Sequence, residues 1–198
     1  MTDVVLYVTE TMADWEYGFL MAGLAWAREN GADLSVATAG EARDPLRSKG
    51  GIAVLPDRAL DEVGVPDLLI LPGAETWGDG HADALLLARR VREQGGTVAA
   101  ICGATLGLAR DGQLDSVDHT SNARDFLAGA AGYRGAGRYR EERVVTDGGV
   151  ITAPAMFPVD FARAVFDAVG AFPPPVLDAW YGLYTTGERR YFDALTSA

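Results

Sequence analysis

The stretch AAICGATLGLA (residues 99–109) completes an apolar run, Val98–Ile101, with a cysteine and then opens helical spacing through Gly103-Ala104. Apolar residues without polar alternation read as a strand buried on both faces, and a helix that starts at once leaves the cysteine on a sharp turn. A nucleophile on such a turn needs small residues two positions before and two after it, and Ala100 and Ala104 meet that need. Cys102 is the only cysteine of the chain. Free cysteines are commonly inert packing, but ligands bind at the carboxyl ends of strands in an open parallel sheet, and Cys102 stands at one. The N–H groups and dipole at a helix start can lower a thiol pKa from about 8.5, and the N–H of Gly103 points where an oxyanion forms.

Working outward, Val4–Val8, Leu34–Ala37 and Leu68–Leu71 are further strand-like runs. Trp15–Asn30 and Asp83–Gln94 have helical spacing and end at Gly31 and Gly95-Gly96. This alternation predicts an α/β fold with a mainly parallel sheet covered on both faces. Arg47–Leu55 reads as an antiparallel excursion, a short helix follows the cysteine to Arg110, and strands Arg143–Thr146 and Val150–Thr152 flank the turn Asp147-Gly148-Gly149. Phe157–Val169 is helical again; Pro173-Pro174-Pro175 reads as a stop, and Val176–Leu195 resumes as one aromatic-rich helical stretch. No repeat or linker divides the 198 residues, which predicts one domain over 1–198 with 171–198 as a helical extension.

A net charge of -11 and a pI near 4.5 provide no positive field for nucleic acid. No apolar run is long enough to span a bilayer, and MTDVVLYV lacks the flanks of a signal peptide, so the expectation is a cytoplasmic protein without a membrane or nucleic-acid partner. The two histidines, His81 and His119, belong to no metal-ligand spacing, and no metal or cofactor is expected.

Two other strand ends bear on the cysteine. In Leu71-Pro72-Gly73-Ala74-Glu75, Gly73 and the N–H of Ala74 can supply the second donor to an oxyanion. In Thr9–Glu16, Asp14 suits an N-cap and Glu16 suits the first helical turn; alternatively Glu16 points across the strand ends to Cys102, its carboxyl pKa raised by desolvation. His119, 17 residues after Cys102, is the candidate general base, while His81 reads as solvent-facing.

In order along the chain, DWE, LPGA, AAICGA, HTSN and VVTDGGVITAPA resemble the ThiJ/PfpI superfamily. The resemblance implies a flavodoxin-like three-layer sandwich, with a nucleophile elbow as in class I glutamine amidotransferases. It also implies that Cys102 is the reactive cysteine, that Glu16 is the buried acid beside it, that Gly73, Ala74 and Gly103 surround the oxyanion pocket, and that the protein is a homodimer or larger homo-oligomer. The protease-like members carry a histidine directly after the cysteine, where Gly103 stands. Glutaminase domains draw a histidine and a glutamate from a late loop, where Thr152–Met156 has neither. The deglycase-like members place a histidine where this chain has Asn122, after Thr120-Ser121. The expected chemistry is attack of Cys102 on a small electrophilic carbonyl, of glyoxalase or deglycase type. The alternative is a stress sensor in which an oxidant acts on Cys102 without turnover.

Overall fold

The apolar runs form the inner strands of one sheet: β1 (Thr2–Tyr7), β6 (Leu68–Leu71) and β7 (Thr97–Ile101) in the computed structural model, which describes residues 1–196. Their side chains divide by period two. Val5, Tyr7, Leu69, Leu71, Val98 and Ala100 enter one apolar layer, and Val4, Leu6, Leu68, Ile70, Ala99 and Ile101 the other. The first layer is closed by α2 (Ala82–Glu93), α3 (Gly103–Arg110) and α4 (Arg124–Ala128), the second by α1 (Asp14–Glu29), α5 (Pro158–Ala168) and α6 (Pro174–Thr186). Burial on both faces is why these strands lack polar alternation.

Four more strands complete the sheet: β2 (Leu34–Gly40), β5 (Arg58–Ala59), β8 (Val145–Asp147) and β9 (Val150–Ala153). The order is β5-β2-β1-β6-β7-β9-β8, parallel throughout except for the edge strand β8. The chain moves outward from β1 to β2 and then returns to the other side of β1 with β6. The sheet therefore has its topological switch between β1 and β6, where strand ends leave a crevice. The expected excursion is a separate antiparallel pair, β3 (Leu46–Arg47) with β4 (Ala53–Val54).

Three readings of the later sequence are corrected. Strand β8 begins two residues later than expected, because Gly148 and Gly149, at φ 55° and 75°, make a two-residue hairpin turn that pairs Asp147 with Val150. The prolines start α6 instead of only stopping the chain, since a first helical turn needs no N–H from them. The stretch Val176–Leu195 is two helices, α6 and α7 (Arg189–Thr196), because Gly187 turns left-handed at φ 69° and its N–H closes on Leu183 O at 2.8 Å.

Helix α3 approaches the Trp77 ring through Gly107, where a Cβ would lie 2.3 Å from ring carbon Cε3. Trp77 is buried and held by its Nε1–H to Pro72 O at 2.8 Å, so it has little room to yield. Gly107→Ala is expected to destabilise the fold by about 1–3 kcal/mol from overpacking, measured by urea unfolding.

Candidate functional site

The ends of β1, β6 and β7 meet at the switch point, and each contributes one part of the site. Cys102 joins β7 to α3 at φ 57° and ψ -123°, a conformation rare for a residue with a side chain. Its N–H donates to Ala153 O at 2.9 Å, while its carbonyl accepts the Thr105 N–H at 3.1 Å and the Thr105 hydroxyl at 2.6 Å. The turn is thus held by α3 and β9 together, and the thiol is left partly exposed.

Glu16, in the first turn of α1, is fully buried. Its Oε2 accepts the Gly73 N–H at 2.6 Å, whereas Oε1 is buried and meets no hydrogen-bond partner of ordinary geometry. The Cys102 side chain is nevertheless close enough to influence the ionisation of the carboxyl. Asp14 is not the N-cap, which falls on Ala13; its carboxylate instead accepts the Gly50 N–H at 2.7 Å.

The Leu71–Glu75 turn lies against both. A Cβ on Gly73 would come within 2.6 Å of Glu16 Oε2 and 2.9 Å of Cys102 Sγ, so only glycine fits. A Cβ on Gly103 would stand 3.4 Å from Ala74 N, which places the Ala74 and Gly103 backbones side by side near the sulfur. Gly73, Ala74, Gly103, Glu16 and Cys102 are therefore brought together.

His119 is not brought to the sulfur. It is fully buried, with Nδ1 2.8 Å from Val117 O and Nε2 2.6 Å from the Tyr133 hydroxyl, so both ring nitrogens are engaged away from Cys102. Burial holds its pKa below the ordinary value and keeps the ring neutral. From the same segment it is Asn122 that reaches the thiol, its Nδ2 donating to Sγ at 3.3 Å and its Oδ1 accepting the Ala155 N–H at 2.9 Å. The sequence signal for it is the spacing of Asn122 from Cys102, the position of a histidine in the deglycase-like members. His81 is also corrected: it is buried, stacked on Trp77, with Nδ1 2.9 Å from the Tyr7 hydroxyl and Nε2 2.9 Å from Thr76 Oγ1. Its left-handed backbone, φ 61°, turns the ring inward. Among the described residues no group of three or more His, Cys, Asp or Glu gathers to hold a metal, and no helix is long and apolar enough to cross a membrane.

Burial removes much of the solvent from both ionisable groups, and the electrostatics of the site follow from that. Desolvation raises the Glu16 carboxyl to about 7 against the pull of the Gly73 N–H. Burial also pushes the Cys102 thiol up to about 11, with the charge of Glu16 as the second cause, opposed by the Asn122 amide and the Gly103 N–H. The lowering expected from the helix start is thus outweighed. One pocket disfavours two negative charges, so the first proton leaves the carboxyl and the resulting charge holds the second on sulfur.

Residues 2–168 match the DJ-1/PfpI family. The chain is 41% identical over 196 residues to the uncharacterized protease YoaZ of Bacillus subtilis, covering 96% of this chain and 93% of that one. Among solved structures, a ThiJ/PfpI family protein from Bacillus anthracis superposes with a TM-score of 0.92 at 37% identity, covering 99% of this chain and 96% of that one. A DJ-1 superfamily protein from Agrobacterium tumefaciens gives 0.83 at 33%, covering 94% and 99% respectively.

Proposed function

The chain belongs to the DJ-1/PfpI family, and on that premise we propose that it converts small 2-oxoaldehydes to 2-hydroxy acids by addition of the Cys102 thiol. The observation that carries this reading is the unpartnered, buried Glu16 Oε1 beside a thiol on a strained turn. In the ionised form Oε1 takes the thiol proton as Sγ bonds to the aldehyde carbon and the π pair moves to oxygen. The N–H groups of Gly103 and Ala74 hold that oxygen, and Glu16 returns the proton to give a neutral hemithioacetal. Glu16 then removes the proton from the former aldehyde carbon, the electron pair forming an enediol with the adjacent carbonyl, and returns it to that adjacent carbon as the hydroxyl proton passes from the first oxygen to the second; the product is a 2-hydroxy thioester that water hydrolyses. The sum is aldehyde plus water to hydroxy acid, with no external oxidant or reductant.

The protease in the name of the Bacillus subtilis relative is a weaker fit here. The histidine that would serve beside Sγ is missing, since Gly103 follows the cysteine directly and both ring nitrogens of His119 are engaged elsewhere. The test is to incubate the protein with methylglyoxal and measure lactate. Lactate should form, and one carboxamidomethyl group per chain, seen by intact mass, should stop it. A protein that forms no lactate but gains two oxygens on Cys102 with limiting peroxide would instead be an oxidant sensor.

A further inference from the structure

Among 17 basic residues Lys49 is the only lysine. The turn between β3 and β4 is fastened to the loop entering α1: the Lys49 N–H donates to Met12 O at 2.9 Å, and the Gly50 N–H to Asp14 Oδ2 at 2.7 Å. Across the mouth, Glu75 follows the oxyanion donor Ala74 and is tied to Thr11 by its N–H at 3.0 Å. The Lys49 ammonium pairs with the Glu75 carboxylate, so the side chain bridges the β3–β4 turn and the loop after β6. Both partners are substantially exposed, and an exposed pair of this kind is weakly held, leaving the ammonium able to turn to another anion. The other nearby carboxylate, Asp14, is already occupied by Gly50 and Ser48.

We infer that Lys49 is the specificity residue of this site and selects 2-oxoaldehydes that carry a carboxylate beyond the 2-oxo carbon over neutral 2-oxoaldehydes of similar size. The inference rests on the reading of Cys102 as nucleophile. A compact ammonium on a flexible stem can follow a small carboxylate into the mouth while two backbone N–H groups hold the developing alkoxide. Glu75 occupies the ammonium until substrate arrives. When Cys102 is ionised its charge also acts on the Lys49 ammonium, behind the larger effects of Glu75 and burial.

The test compares alkylation of Cys102 by iodoacetate and by iodoacetamide, two reagents of similar size that differ in charge, at fixed ionic strength and read by intact mass. The iodoacetate to iodoacetamide rate ratio should fall about five-fold or more in Lys49→Met, with Lys49→Arg in between. The double variant Lys49→Met/Glu75→Gln has the same net charge as the native protein; its ratio should still fall below the native one. A ratio unchanged in Lys49→Met would show that Lys49 plays no part in the selection, and a ratio restored in the double variant that it acts only through net charge; either result would overturn the assignment. A native Cys102 inert to both reagents would remove the nucleophile reading and this inference with it.

Discussion

Glu16→Gln is expected to stabilise the protein by about 2–3 kcal/mol at pH 8 while slowing lactate formation by about 100-fold or more. Glu16 has a folded pKa of about 7 against an ordinary value of 4.5, raised because burial disfavours its charge. A carboxyl raised in this way contributes its full stability below its ordinary pKa and loses it as pH rises through the folded value, so the loss falls between about pH 4.5 and 7. At about 1.4 kcal/mol per pKa unit the difference comes to about 3.5 kcal/mol, most of which the neutral variant recovers. Glutamine is neutral at every pH and keeps an oxygen for the Gly73 N–H. Urea unfolding from pH 5 to 8 should therefore show declining stability in the native protein and a flatter profile in the variant. The thiol supplies a second readout. Because the charge of Glu16 is the second cause of its raised pKa, the alkylation pKa of Cys102 should fall in Glu16→Gln even as turnover is lost. A variant that merely unfolds would move the thiol toward its ordinary value but would also lose stability. Equal pH dependence of stability in both proteins would mean that Glu16 is not the buried acid of the pair.

The fold was legible where a single local rule decides the outcome. Val98–Ile101 is a two-faced strand because every residue enters one of two apolar layers, and Ala100 and Ala104 leave room for a turn that no larger pair would allow. The break at Gly187 was hidden, because aromatic residues at helical spacing continue on both sides of it and only the left-handed φ separates them. The site divides in the same way. Cys102, Glu16 and Gly73 follow from strand ends. Asn122 does not, because its place beside Sγ depends on a crossing held by Thr120 N–H to Thr152 Oγ1 and by Ser121 to Thr105, contacts between residues distant in sequence. His119 and His81 show the same limit in the other direction. Their spacing allowed a base and a solvent-facing ring, yet Tyr133 and Tyr7 engage both rings inside the protein. The direction of the thiol pKa also depends on burial, which has no local sequence signature. The Gly103 N–H at the helix start does lower the thiol, but burial beside a carboxylate exceeds it.

Gly73→Ala is expected to reduce Cys102 reactivity by about 100-fold, because it drives one methyl group between the two halves of the pair. The backbone at Gly73 is not left-handed, so alanine meets no conformational penalty there, and the effect isolates the side chain. The new Cβ would lie 2.6 Å from Glu16 Oε2, 2.7 Å from Cys102 Cβ and 2.9 Å from Sγ, all closer than carbon contacts permit. None of these atoms can withdraw freely. Oε2 is held by the Gly73 N–H itself, Glu16 is enclosed on α1, and Cys102 is fixed at both its N–H and its carbonyl. Relief must come from opening the Gly73 to Glu16 hydrogen bond or swinging Sγ away from the Ala74 and Gly103 N–H groups, and either change undoes the alignment that the addition step needs. Overpacking adds a stability cost of about 1–3 kcal/mol, modest enough for the variant to be purified and assayed folded. Iodoacetamide alkylation and lactate formation should fall together while far-UV circular dichroism stays native. Alkylation at the native rate in a folded Gly73→Ala would mean that the Leu71–Glu75 turn can retreat, and that the close approach of Gly73 to the thiol plays no part in its reactivity.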